Sequence, residues 1–171
     1  MQAGEEFPGG VPYIRTGDIA DGDISLSRLR HTDPEIARRF ARSTVRTGEI
    51  VMSIRATVGT TALVPACLDG ANLTQGTARI SPGECVNGAY LLQYLRMPST
   101  QAWIQRQVKG ATFREITLAR LRELPVLIPP IEMQEAFAAK FGIVKSIEES
   151  SNDLLARAGK LSTSLANQLL N

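Results

Sequence analysis

The chain of 171 residues has little of the chemistry from which metal, disulfide and catalytic sites are built. It contains two cysteines, Cys67 and Cys85, one histidine, His31, and aromatic side chains at only 5% of its positions. The cysteines show neither a Cys-x-x-Cys nor a paired-histidine spacing, which argues against a zinc site and a disulfide scaffold. A single histidine leaves little for a catalytic triad. We therefore expect no cofactor and no bound metal.

Long apolar runs are also missing. No run reaches the ~20 residues that a membrane-spanning helix needs, and the first six residues carry two acidic side chains rather than the basic lead of an export signal. These observations predict a cytoplasmic protein with no membrane partner. Hydrophobic residues make up 43% of the chain and charged residues 21%, which is typical of a folded domain with a core.

Lysine is rare in the first three quarters of the chain. Residues 1–130 contain 14 arginines and one lysine, Lys109, against 12 acidic residues. A guanidinium fork bonds phosphates and guanine edges well, so the bias favours nucleic acid as a partner. A GC-rich genome would produce the same bias without any function.

Residue patterns predict an α+β fold, with a compact mixed domain over 1–130. Runs of β-branched and apolar residues bounded by turn residues predict strands, and capping residues followed by apolar periodicity predict helices. The predicted strands cover 11–19, 24–26, 50–54, 60–65, 75–80 and 125–128, and the predicted helices cover 33–42, 86–96 and 100–108.

Residues 131–171 contain no proline and predict one long helix. Its apolar or small residues follow steps of three and four, as in a coiled coil. At ~1.5 Å per residue this helix would reach roughly 55–60 Å, far more than the preceding domain needs. We expect the seam to pack against another helix, although it could also fold back on its own domain. The seam consists of Phe137, Val144, Ile147, Ser151, Leu154, Ala158, Leu161 and Leu165.

An ordered set of short motifs resembles the specificity subunit of type I restriction–modification systems. The motifs are Pro12-Tyr13-Ile14-Arg15-Thr16-Gly17-Asp18-Ile19, Gly48-Glu49-Ile50-Val51-Met52-Ser53, Gly59, Asn72 with Gln75, Gly110-Ala111-Thr112, and Leu124-Pro125-Val126-Leu127-Ile128-Pro129-Pro130 with Gln134. The order of the motifs, rather than any one of them, carries the resemblance. It departs from the family in lacking the usual lead-in before the first motif, and in having Met133-Gln134 in place of Glu-Gln.

The resemblance implies a non-catalytic subunit that binds double-stranded DNA. In this family a full subunit holds two target-recognition domains apart on two antiparallel helices, and each domain reads half of a split target. Methyltransferase subunits dock on this framework and a separate restriction subunit cuts the DNA. The chain has the length of one half, so the resemblance implies a recognition domain at 1–130, a spacer helix at 131–171, and a homodimer through that helix. A truncated remnant is the other possibility.

If the resemblance holds, DNA contacts divide into phosphate contacts and base contacts. Basic side chains at loops and element ends suit phosphates, and Arg, Asn, Gln and Thr on loops suit base edges. The phosphate candidates are Arg15, Arg55, Lys109 and Arg114, and the base candidates are Arg28, Arg30, Thr57, Asn72, Gln75 and Thr112. Each could instead be a solvated surface residue, and Asn72 and Thr112 could bond their own backbone.

Two other classes of function compete with DNA reading. The first is a coiled-coil protein whose α+β domain binds another protein. The second is a metal-dependent nuclease built on Asp18, Asp21 and Asp23, although Asp21-Gly22-Asp23 is ordinary hairpin chemistry and no matching Glu or Lys supports it.

Overall fold

Short strands and helices precede one long helix in the computed structural model, which describes residues 5–20, 22–110 and 114–169, with the backbone alone at 149 and 162–169. The strands are β1 Val11–Ile14, β2 Ile19–Ala20, β3 Asp23–Ile24, β4 Arg30–Thr32, β5 Ile50–Ser53, β6 Thr61–Leu63, β7 Asn72–Leu73 and β8 Thr77–Ile80. The helices are α1 Pro34–Arg39, α2 Gly88–Arg96, α3 Pro98–Gln107, α4 Leu118–Leu121 and α5 Ile131–Leu169. The α+β architecture predicted from the sequence is confirmed.

The first sheet has the order β4-β1-β7. Strand β1 pairs with β4 antiparallel, with Val11 opposite Thr32, and with β7 parallel, with Tyr13 opposite Asn72. Beneath it lies one hydrophobic cluster, in which Ile14 and Val45 are fully buried. The parallel pairing joins segments almost sixty residues apart in sequence, so this sheet is a long-range structure.

The second sheet has the order β6-β5-β8 and is antiparallel throughout. All four residues of its central strand β5 are buried. Strand β5 is covered on both faces, because Val51 belongs to the first hydrophobic cluster whereas Ile50 and Met52 belong to a second one with α2. The unbroken apolar run of this strand follows from that position, since a strand buried on both faces does not alternate.

The short helices begin where the sequence places caps. Asp33 accepts a hydrogen bond from the backbone N–H of Glu35 through its carboxylate, and Pro34 occupies the first turn of α1. Asn87 caps α2 by accepting from the N–H of Tyr90 at 3.0 Å. The predicted helices at 33–42, 86–96 and 100–108 are confirmed to within a few residues at each end.

The strand predicted at 125–128 is wrong, since these residues belong to no sheet. Two tyrosine hydroxyls take the place of a neighbouring strand: Tyr90 donates to the carbonyl of Leu127 at 2.8 Å, and Tyr94 donates to that of Pro125 at 3.3 Å. Prolines within and after the segment remove N–H groups that a sheet would need. The segment is therefore an extended strap across α2.

Helix α5 begins at Ile131, directly after the proline pair, as predicted. Its first turns are joined to the domain by Gln134, whose side chain is fully buried, and by Phe137, whose ring meets that of Tyr90 edge-on at 5.7 Å. Farther along, Lys145 forms an ion pair with Asp23 at 3.1 Å. At ~1.5 Å per residue its 39 residues extend about 58 Å. None of the helices in the described residues has the length and apolarity to cross a membrane.

Candidate nucleic-acid interface

One end of the first sheet collects several of the predicted DNA-binding residues. Because β1 and β7 run parallel, their carboxyl ends meet, and the antiparallel strand β4 begins at the same end. Arg15 follows β1, Gln75 follows β7 and Arg30 opens β4. Arg28 is tied in as well, because its carbonyl accepts a 2.8 Å hydrogen bond from the guanidinium of Arg15.

The link between β7 and β8 brings the second sheet to the same edge. The carbonyl of Gly76 accepts from the N–H of Ile54, the residue after β5, at 2.8 Å. A Cβ at position 76 would lie 2.7 Å from the Thr16 methyl group, so the link can pass this closely only because residue 76 is glycine. Arg55 and Thr57 lie on the loop that follows β5.

The chain after α3 returns to this loop. Glu115 exchanges backbone hydrogen bonds with Lys109, and its carboxylate pairs with the Arg55 guanidinium at 3.1 Å. The N–H of Ala56 donates to the carbonyl of Arg114 at 3.2 Å, which places Arg114 beside the loop. We name the whole surface the basic edge. It consists of Arg15, Arg28, Arg30, Arg55, Thr57, Gln75, Lys109 and Arg114.

The positive charge of the basic edge is only partly neutralised. Arg15 forms a two-pronged ion pair with the buried carboxylate of Asp18, at 2.9 and 2.8 Å, and this hydrogen bonding raises the pKa of its guanidinium. Within the part of the chain that the structure describes, Arg28, Arg30 and Lys109 form no ion pair. Arg114 donates to the neutral Gln105. The edge thus has cationic side chains that are not neutralised and are available to an anionic partner. Arg15, in contrast, also has a structural role.

Asn72 does not belong to this surface, and the structure replaces the base-reading role predicted for it with a structural one. Its side chain is only 1% exposed. Its amide donates to the carbonyls of Ala37 and Phe40 and to the hydroxyl of Ser43, at 3.2–3.3 Å. The amide therefore stabilises the turn after α1 from a buried position, although Asn72 is level with Arg30 in the sheet, since both lie opposite Tyr13.

Two predicted residues fall where the structure gives no side chain. Thr112 lies outside the described residues, and at Leu165 only the helical backbone is described. Asp21, one of the three carboxylates considered for a metal, also lies outside them, and Asp18 is bound to Arg15. The described residues contain no group of three or more His, Cys, Asp or Glu side chains that could hold a metal ion.

Two glutamines that the sequence analysis missed hold the loop of the basic edge in place. Gln101 donates to the carbonyls of Gly59 and Leu95, and Gln105 donates to that of Val58, all at 2.7–3.0 Å. Their spacing of four residues places them on one face of α3. That spacing was a visible signal, because two glutamines on one helix face can hydrogen-bond an adjacent loop.

The predicted seam of α5 is exposed at every position beyond Phe137 for which a side chain is described. Val144, Ile147, Leu154 and Leu161 are 48–66% exposed, and Ser151 and Ala158 are exposed too. Ile143 and Leu155, which the seam omitted, are 63% and 69% exposed. Exposed apolar side chains in a continuous row are typical of a surface that another helix covers.

Comparisons with known proteins agree with this architecture. Residues 2–156 match the family model of the type I restriction modification DNA specificity domain. The chain is 30% identical over 170 residues to the type I restriction enzyme EcoBI specificity subunit of Escherichia coli, covering 96% of this chain and 36% of that protein.

Solved structures show the same fold. The HsdS subunit from Thermoanaerobacter tengcongensis superposes with a TM-score of 0.69 at 21% identity, covering 88% of this chain and 39% of that one. The type I restriction-modification S subunit from M. genitalium gives a TM-score of 0.54 at 14% identity, over 82% of this chain and 33% of that one. The chain therefore spans about a third of its relatives' length. It belongs to the family of type I restriction–modification DNA specificity domains.

Proposed function

We propose that this chain reads a DNA sequence through the basic edge and carries out no bond-making chemistry of its own. The observation that supports this most is the convergence of two sheets and the segment after α3 on one surface. There, Arg28, Arg30 and Lys109 have no acidic partner among the residues that the structure describes. Phosphate contacts by such cations supply affinity and register. Thr57 and Gln75, which are exposed on the same surface, have the groups that hydrogen-bond base edges.

The partners follow from the family. One solved structure that is similar to this chain, with a TM-score of 0.58 at 22% identity, concerns complex assembly and conformational transition of the type I R-M system. We infer that methyltransferase and restriction subunits assemble on this chain and that it acts in the cytoplasm. Its contribution to the complex is recognition of the DNA sequence rather than catalysis.

The exposed seam of α5 supports a homodimer. A two-fold contact between two such helices would hold two identical basic edges apart, and such a dimer favours a symmetric, interrupted DNA site. The competing proposal, a coiled-coil protein that binds no DNA, would use the same seam but has no need for unpaired arginines at the end of the sheet.

The decisive experiment selects from a randomised DNA duplex pool at near-physiological salt and compares variants on the enriched duplex. Lys109→Ala with Arg114→Ala should weaken binding to all duplexes, and should make the dependence of log K on log salt shallower by up to ~1.8, since each lost phosphate contact contributes ~0.9. Gln75→Ala should relax selectivity at one base pair by about 1–3 kcal/mol.

A matched control is available on the same domain. Arg38→Ala with Arg39→Ala removes the same number of charges from α1, which follows the opposite end of the first sheet. This pair should leave the enriched sequence and nearly all of the affinity unchanged. If no duplex is enriched, or if both pairs weaken binding equally, the basic edge is not the reading surface.

A further inference from the structure

A groove of about 730 Å³ lies beside the basic edge and shares only Gln75 with it among the residues that the structure describes. Much of its lining is aliphatic and includes Leu91 and Leu95 from α2 and Leu118 and Leu121 from α4; we call this lining its floor. One wall is the turn at Arg42 and Ser43. Residues of α4 and of the segment after it, among them Arg122, also line the groove. The volume falls within the range of ligand-binding sites.

The rim of the groove carries positive charge without acid. Arg42, Arg79 and Arg122 line it, and its described lining contains no Asp or Glu. Arg79 is engaged elsewhere, because it donates to the carbonyl of Thr44 at 2.6 Å and lies 3.7 Å from Glu49. Arg42 and Arg122 are exposed, and their side chains make no hydrogen bond or ion pair with any residue that the structure describes. The groove therefore pairs an apolar floor with two arginines whose side chains lack a partner among the described residues.

These properties separate the possible occupants. Pockets for an extruded base use aromatic stacking, and none of the described residues that line this groove is aromatic. A DNA backbone would meet the arginines, but its phosphates gain nothing from a floor of leucines, since interfaces with DNA are polar and wet. A helix with leucines on one face and carboxylates beside them satisfies both the floor and the rim, as in other complexes where a helix lies in a groove.

We propose that the groove bounded by Arg42 and Arg122 is a docking site for an acidic amphipathic segment of a protein partner. The apolar face of that segment packs on Leu118, which is 45% exposed, and on the half-buried Leu121, and its carboxylates pair with the two arginines. Gln75 lines the groove and also belongs to the basic edge, so the docked segment sits next to the bound DNA. A partner held there is in position to act on DNA that the edge has bound.

The wall at Arg42 depends on a residue already described. Asn72 donates to Ser43 and Phe40 and so fixes the turn that carries Arg42. This gives the buried amide a consequence beyond stability, because losing it frees one wall of the groove.

The test uses the full chain and a labelled synthetic 14-residue helical peptide with leucines at helical spacing and glutamates elsewhere. Arg42→Gln with Arg122→Gln should weaken binding of this peptide at least tenfold, because both substitutions remove charge from exposed positions and leave the core intact. Arg38→Gln with Arg39→Gln, on α1, should change binding less than twofold. The same peptide with lysine in place of glutamate should not bind.

Three outcomes would overturn the proposal. The glutamate peptide fails to bind the unaltered chain, or the lysine peptide binds equally well, or Arg42→Gln with Arg122→Gln leaves peptide binding intact while weakening DNA binding more than tenfold. The last result would assign the two arginines to DNA. Peptide binding is measured without DNA, so its failure is distinguishable from failure of DNA reading.

Discussion

The domain before Pro130 and the helix beyond Lys145 differ in what covers their hydrophobic side chains. In the domain, Ile14, Ile50 and Met52 are completely buried by other parts of the same chain. On the helix, Ile147 and Leu155 are 63% and 69% exposed. The domain therefore carries its own core, whereas the distal helix has an apolar face and no counterpart among the residues that the structure describes.

This difference has a physical consequence. Most helical stability in proteins comes from packing an amphipathic face rather than from local propensity. The first turns of α5 are fixed by Gln134, Phe137 and Lys145, but the following turns lack such contacts within the described chain. We infer that the domain is stable alone, and that the distal helix gains its stability from association.

The largest expected effect is on the free energy of unfolding, and it contrasts one truncated side chain in each region. Ile50→Ala removes a fully buried side chain and should lower the free energy of unfolding by about 2–5 kcal/mol. Leu154→Ala, at a position 66% exposed, should change it by less than about 0.5 kcal/mol in dilute solution. Urea denaturation followed by tryptophan fluorescence measures both, because Trp103 packs against the second hydrophobic cluster. Equal destabilisation would show that the helix is covered in the monomer.

The second effect concerns association. Ile147→Asp with Leu154→Asp places carboxylates in the exposed seam, and a two-fold contact would contain each substitution twice. We expect the dissociation constant of the dimer to rise at least about a hundredfold, with the free energy of unfolding of the domain unchanged. Sedimentation at a series of concentrations measures the dissociation constant. Glu148→Gln on the same helix is the control, and a chain that remains monomeric without any substitution would remove the homodimer from consideration.

The third effect lies at the junction between the two regions. The Gln134 amide accepts from the N–H of Asn87 at 2.9 Å and donates to the carbonyls of Cys85 and Pro129 at 3.0 and 2.7 Å. Gln134→Ala leaves these groups without their partner and should cost about 2 kcal/mol. Met133→Ala, one residue earlier and 62% exposed, should cost less than about 0.5 kcal/mol. Similar losses in both would mean that the junction is held by packing alone.

The same comparison shows what the sequence could predict. Local signals were sufficient for the capped helices, since Asp33-Pro34 and Asn87 act within one turn, and for α5, whose spacing is periodic over many residues. The strap at 125–128 looked like a strand because its residues suit one, but a strand also needs a neighbour, and two tyrosine hydroxyls occupy that place.

The candidate site shows the limit more sharply. Polar residues on turns were recognised by type. Asn72 is nevertheless buried whereas Gln75 is exposed, although they are only three residues apart. Only the parallel pairing of β1 with β7 decides that Asn72 lies at the buried start of the strand and Gln75 beyond its exposed end. That pairing is a long-range contact, which turn chemistry does not encode.

The smallest effect tests the strap that lies between the two regions, through the hydroxyl of Tyr90. Burial raises the pKa of this phenol above its usual 10.0, with a smaller contribution from Tyr94, and the hydroxyl donates to Leu127 at 2.8 Å. Tyr90→Phe should cost about 1 kcal/mol near neutral pH. Because the folded chain holds this proton more tightly than the unfolded chain, the stabilisation is fully present below about pH 10 and is lost as the pH rises through the folded pKa. The difference in free energy of unfolding between the two proteins, measured by urea denaturation, should therefore stay constant from pH 7 to about pH 9 and shrink above about pH 10.

Leu127 is itself 69% exposed, so water can replace the lost donor at its carbonyl, which keeps the expected cost of Tyr90→Phe well below that of Gln134→Ala. A difference that grows with alkaline pH would mean that the hydroxyl does not hold the strap on which the start of the helix rests.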